Sequence, residues 1–251
     1  MVSEIIIGSF AALAAGFIDA IAGGGGIITF PTLMMLGLPV PLIVGTNKLV
    51  STCGTSIAAI TFYRSGNTTK DILKIALPFT AIGSFIGAWT VLHLSNDFLK
   101  PLAGVIIFSL AIYLVVRPSL GAVNEYRGIT VRLGKILVFC ATFIGFYDGF
   151  FGPGTGMFLT YVMIRFMKLD FVRAAGNTKI LNLASNVVPL VYFLSQGNIR
   201  FDLGIPMGAA NMLGGYLGAR SAIHAGPWLV RAISIIMAVL LGVKLVSEYL
   251  L

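Results

Sequence analysis

GFIDAIAGGGGIITFP, residues 16–31, sets an aspartate inside an apolar run and then breaks the run with four consecutive glycines and a proline. GFYDGFFGPGTG, residues 145–156, repeats that arrangement and places Asp148 where Asp19 stood. From these two stretches the chain aligns with itself. GTNK at 45–48 falls on GNTK at 176–179, GN at 66–67 on GN at 197–198, Asp71 on Asp202, GSFIGA at 83–88 on GGYLGA at 214–219, and His93 on His224. One small indel aside, the register holds, so the sequence reads as one duplicated unit, with repeat 1 at 1–120 and repeat 2 at 130–251.

The setting of the repeat is a membrane. Of 251 residues, 57% are hydrophobic and 10% charged, and the mean hydropathy is +0.97, far outside the range of soluble domains. Apolar segments comparable to the ~20 residues that cross a hydrocarbon core fall at 5–22, 27–43, 45–63, 72–92 and 99–116, and again at 134–151, 155–167, 176–194, 203–221 and 228–247. The second segment of each set is short, and the first of these two carries Pro31, Pro39 and Pro41, so each reads as a bent or half-spanning helix. The N-terminus has Glu4 as its sole charge and no basic leader, which suits a first membrane helix rather than a signal peptide. The predicted fold class is therefore all-α: a polytopic membrane protein of two homologous halves, with Gly/Pro-broken or re-entrant helices, forming a single domain over 1–251.

Charge placement orients the halves. The formal charge of +8 is scattered one or two residues per loop, which argues against a nucleic-acid partner and for a topological role. The loop with Arg117, Arg127, Arg132 and Lys135 is the most basic and is placed in the cytoplasm by the positive-inside rule. Five segments per half then put Arg64, Lys70 and Lys74, then Arg165, Lys168 and Arg173, then Arg220 and Arg231 on that same side. An even number would expose the Arg165–Arg173 loop outside. Inverted repeats with both termini outside follow, and a re-entrant hairpin in each half would leave that parity unchanged.

Three features carry chemistry. Asp19 and Asp148 are carboxylates at membrane depth, where a charge pairs, protonates or lines water; gating or coupling suits them, as does capping a neighbouring helix. The glycine breaks, with Gly23, Gly24, Gly25 and Gly26 in one half and Gly152, Gly154 and Gly156 around Pro153 in the other, unwind backbone where only a buried or cavity-lining position tolerates it. The helices that restart there offer N–H donors to an anion. Lys48, Ser51 and Thr55 share one helical face, as do Lys179, Asn182 and Asn186, with Asn47 beside the first lysine and Asn177 and Thr178 beside the second. Such donor-rich stripes suit an oxyanion better than a metal ion. The rival reading has both lysines snorkelling to headgroups from helix ends.

Other residues point away from chemistry. The pairs Gly83 with Gly87 and Gly214 with Gly218 have the spacing that brings membrane helices close. Cys53 and Cys140 sit in apolar segments as small hydrophobes. His93 and His224 lack cysteines or an acidic cluster at ligand spacing, so no metal site is expected. There is no GxSxG, HExxH or Walker loop. The expectation is a non-enzyme without cofactors, in contact with lipid and a small anionic substrate, with a homodimer left open.

Taken together, GFIDAIAGGGGIITFP with GTNK and GFYDGFFGPGTG with GNTK resemble the TauE/SafE family, also called the toluenesulfonate uptake permease family, over nearly the whole chain. The resemblance implies a multi-pass permease of the bacterial inner (cytoplasmic) membrane that moves sulfite, sulfoacetate or another organosulfonate. That family is usually described with about eight spans from two related halves, whereas the charge placement above favours an odd count per half; short or re-entrant segments reconcile the two. The expected function is secondary transport of such an anion, against the alternatives of an anion channel, a membrane-embedded enzyme or a structural membrane protein.

Overall fold

Each half begins with a long helix, stops at its glycines, restarts as a short helix and continues through two more long ones. The computed structural model of the chain describes residues 2–95 and 123–226. Among these residues it is all-helical: α1 Val2–Ala22, α2 Gly26–Met34, α3 Val40–Arg64, α4 Lys70–Leu92, α5 Val131–Phe150, α6 Thr155–Arg165, α7 Phe171–Ser195 and α8 Phe201–Ala225. The predicted segments at 99–116 and 228–247 lie outside the described residues. By length and composition α1, α4 and α5 are long and apolar enough to cross a membrane. Helices α3, α7 and α8 have 25 residues each, long enough to span, and carry more polar side chains.

The segment read as 27–43 is two elements. Helix α2 ends at Met34, and α3 begins at Val40 with Pro39 as its N-cap and Pro41 in its first turn. Proline is well tolerated at a helix start because its missing N–H would be unbonded there anyway, so these prolines open α3 rather than bend its predecessor. Helix α7 likewise starts at Phe171, where the Asp170 side chain accepts a hydrogen bond from the Arg173 amide at 2.9 Å. The consequence is positional: Lys48 and Lys179 lie more than two turns inside their helices, not at the ends.

The main packing runs between halves. Helix α1 lies along α8, and α4 along α5, while α3 packs on α7 and α8 and α4 also meets α7. Under the sequence correspondence, α1 with α8 and α5 with α4 are the same pairing. Glycine permits both. A Cβ on Gly83 or Gly87 would overlap the carbonyl oxygens of Thr142 or Phe146 on α5, and one on Gly214 or Gly218 those of Leu13 or Phe17 on α1. The packing role read from the GxxxG spacing is therefore what these four residues perform. Gly149 of α5 is as tight, against the Ser84 carbonyl of α4. Gly149→Val is expected to destabilise the purified protein by about 1–3 kcal/mol through overpacking, measurable as a lowered unfolding midpoint in a fixed detergent.

Two further ties cross between halves. The Asn177 Oδ1 accepts from the amide of Thr69, the N-cap of α4, at 2.9 Å. The Thr46 Oγ1 accepts from the amide of Arg200, the N-cap of α8, at 3.0 Å. Thr46 and Asn177 are aligned positions of the repeat, so each half supplies a side chain to the start of the other half's last described helix.

Candidate functional site

The two glycine breaks meet. Helix α1 closes with the Gly23 amide bonded to the Asp19 carbonyl at 2.8 Å, and the chain then turns through Gly23 at φ +83°, a left-handed value that favours glycine. In the other half Gly152 and Gly154 take φ +100° and +82° before α6 begins. A Cβ on Gly23 would overlap the backbone of Gly156, and one on Gly156 the backbone of Gly23. The buried rings of Phe30 on α2 and Phe151, which follows α5, pack together with their centroids 4.5 Å apart.

Each break is capped by its own acid. The Gly25 amide donates to Asp19 Oδ1 at 3.2 Å, and the Thr155 hydroxyl donates to Asp148 Oδ1 at 2.9 Å. Each acid then takes the lysine of the opposite half. Lys179 Nζ lies 2.8 Å from Asp19 Oδ2, and Lys48 Nζ lies 2.9 Å from Asp148 Oδ1. Both lysine side chains are 1% exposed, so neither snorkels from a helix end. Burying an ion costs several kcal/mol, which only a close counter-ion and further hydrogen bonds offset; the crossing of the pairs is what permits four charges here.

The pairs differ in detail. Lys48 Nζ also donates to the Ser185 carbonyl at 3.3 Å and to Asn186 Oδ1 at 3.0 Å, and its partner Asp148 is 3% exposed. Asp19 is 18% exposed, and both its oxygens accept hydrogen bonds. Asp148 Oδ2 accepts none.

Between the pairs lies a cavity of about 20 Å³, room for roughly one water. Lys48, Asp19 and Asp148 line it, with Asn47 and Ser51 from α3 and Asn182 and Asn186 from α7. Gly26, Gly154 and Gly156 complete its wall with Gly23 and Gly152. The remaining candidates stand behind this wall. Gly24 faces the Met157 methyl, and Gly25 packs on Asp19. Thr55 is buried in α3. Asn177 caps α4, the Thr178 hydroxyl bonds that of Thr160 at 3.1 Å, and Lys179 reaches the cavity through Asp19 alone. Asn47 pairs with Thr29 on α2, the counterpart of the Thr178–Thr160 tie.

Thr155 was not among the candidate site residues, and Gly23 and Gly152 entered only as parts of the glycine breaks. The two glycines are aligned and flank the acids identically, a signal visible in the repeat, but their left-handed backbone and the contact of Gly23 with Gly156 belong to the folded chain. No group of His, Cys, Asp or Glu among the described residues has metal-binding geometry.

Comparison with known proteins agrees with the apolar, helical character of the chain. The profile of a family described as sulfite exporter TauE/SafE matches residues 9–245. A probable membrane transporter protein, ORF9, of Sinorhizobium sp is 34% identical over 95% of this chain and 90% of its own length. A probable membrane transporter protein of Haemophilus influenzae is 34% identical over 93% and 91%, and the probable membrane transporter protein YfcA of Escherichia coli 32% over 99% and 92%. No solved structure matches.

Proposed function

The chain belongs to the sulfite exporter TauE/SafE family of membrane transporters, and from that premise we propose that it is a secondary transporter of a small sulfur oxyanion such as sulfite, sulfoacetate or another organosulfonate. The observation that carries the reading is the pair of crossed ion pairs around a small polar cavity at the glycine crossing. Two lysines at membrane depth can hold an oxyanion, and the asparagines, serine and glycine backbone around them supply hydrogen-bond donors. At about 20 Å³ the cavity is smaller than any of these anions, so binding requires the breaks to part. An entering anion competes with Asp19 and Asp148 for the lysines, which makes the two acids its gates.

The two halves form inverted repeats within one domain of a multi-pass inner-membrane protein, with Gly/Pro-broken helices at its centre. Opening one crossed pair admits the anion from one side, and opening the other releases it opposite, the alternating access expected of such repeats. No nucleotide-binding motif is present in the sequence, so a gradient drives transport.

Purified protein in liposomes is expected to show saturable uptake and counterflow of labelled sulfite or sulfoacetate. Linear flux without counterflow would instead indicate a channel. Binding is checked separately: a true substrate at a hundredfold excess over its Kd is expected to stabilise the protein by about 2.7 kcal/mol. Failure of every sulfur anion to shift the unfolding midpoint would remove this substrate class.

A further inference from the structure

We infer that Asp148 is a proton-binding site that loads one proton, on Oδ2, for each anion taken into the cavity. The inference rests on the transport reading above and assigns the coupling to one oxygen.

The geometry singles out this residue. The Asp148 side chain is 3% exposed and lines the cavity. Its Oδ1 receives both the Lys48 ammonium and the Thr155 hydroxyl, and its Oδ2 accepts no hydrogen bond, the Ser185 hydroxyl beside the carboxylate donating to the Asn182 carbonyl at 3.2 Å. Buried carboxylate oxygens are nearly always satisfied, and an ionised carboxylate can only accept, whereas a protonated one gains an O–H donor. A proton on Oδ2 turns the orphan acceptor into a donor toward a cavity that Asn182 and Asn186 also line. Asp19 offers no such atom: Oδ1 holds the Gly25 amide, Oδ2 holds Lys179, and the side chain is six times as exposed, at 18% against 3%.

Charge balance makes the proton necessary. Lys48, Lys179, Asp19 and Asp148 sum to zero, so a monoanion added to the cavity would leave one uncompensated negative charge in a low-dielectric site, a severe penalty. Transfer of a proton from water to Oδ2 converts Asp148 to a neutral acid, frees Lys48 to face the anion and restores neutrality. No bond other than O–H forms or breaks, and the proton leaves with the anion on the far side. The surroundings permit this exchange. From α3 the facing charge is Lys48; from α7 it is Lys179, already held by Asp19. On α5 itself Tyr147 donates its hydroxyl to the Pro153 carbonyl at 2.6 Å. The charged groups of α4, Lys70, Asp71 and Lys74, sit in its first turns, and Arg165 is the last residue of α6.

The test has two arms. Infrared difference spectra of the protein in lipid nanodiscs, taken at one pH with and without methanesulfonate, read protonation separately from transport. The carboxylic C=O band that appears with the anion is expected to be lost in Asp148→Asn and kept in Asp19→Asn; a band that survives Asp148→Asn overturns the assignment. Should Asp148→Asn not fold, the wild-type protein decides. In liposomes enclosing a pH dye, uptake of methanesulfonate, a monoanion that does not titrate near neutrality, is expected to acidify the interior in step with the anion. Uptake without acidification overturns the proposal. If methanesulfonate does not move, the transport reading is what fails, and the anion-induced infrared band still decides the proton site.

Discussion

Lys48→Ala is expected to cost about 3–5 kcal/mol, the penalty for leaving a buried charge without its partner, because Asp148 at 3% exposure is largely cut off from bulk water. Anion flux is lost with it. The informative result is the rescue. Adding Asp148→Ala to Lys48→Ala removes the stranded carboxylate and is expected to restore most of the stability. Adding Asp19→Ala instead strands Lys179 as well and is expected to lower stability further, since pairs that share no partner add. Unfolding midpoints of the four proteins in one detergent decide the matter; rescue by Asp19→Ala would mean that each lysine pairs within its own half. Lys179→Ala should be milder, because the Asp19 side chain it leaves behind is 18% exposed.

The second large effect is expected at the glycine crossing. Gly23→Ala places a methyl against the Gly156 backbone at a residue held at φ +83°. The left-handed conformation costs a non-glycine residue about 1–2 kcal/mol, and overpacking adds about 1–3 kcal/mol. A total of about 2–5 kcal/mol follows, and uptake into liposomes is expected to vanish because the cavity wall is displaced. Gly37→Ala separates the two contributions, since Gly37 has φ +68° but nothing within 4 Å of an added Cβ. It should cost only the backbone share and leave uptake intact. Equal losses at both positions would show that the crossing imposes no steric constraint.

Much of this arrangement was legible in the chain. Apolar runs and the internal alignment point to helices in two matching sets, and the scarcity of charge in those runs singles out Asp19, Asp148, Lys48 and Lys179 before any coordinates. Two things were not legible. The starts of α3 and α7 were placed five residues late, because Pro39 and Pro41 read as breaks in one half and the Asp170 cap stood outside the apolar run in the other. That shift moved the lysines toward the helix ends and made snorkelling look plausible. The partnership of each lysine was hidden for a deeper reason: spacing along a helix reports neighbours on that helix, and nothing local says that Lys48 meets Asp148 rather than Asp19. The aligned pair Thr46 and Asn177 teaches the same lesson. Beside Lys179, Asn177 looked like a further anion ligand, yet it is turned away to cap a helix of the opposite half, as Thr46 is in its own place.

Those caps, with the crossed pairs, set an order in time. A ribosome adding about 5–20 residues per second delivers Lys48 and the bare start of α4 several seconds before it delivers Asp148 and Asn177. During that interval the leading half holds a buried cation with no counter-ion and a helix N-cap amide with no acceptor, so it has no finished state of its own. Maturation waits for the trailing half, and a nascent chain stalled between them is an orphan that membrane quality control can recognise. The two halves made as separate polypeptides in one cell should each be short-lived alone and persist together, because neither is a foldable unit without the other's side chains.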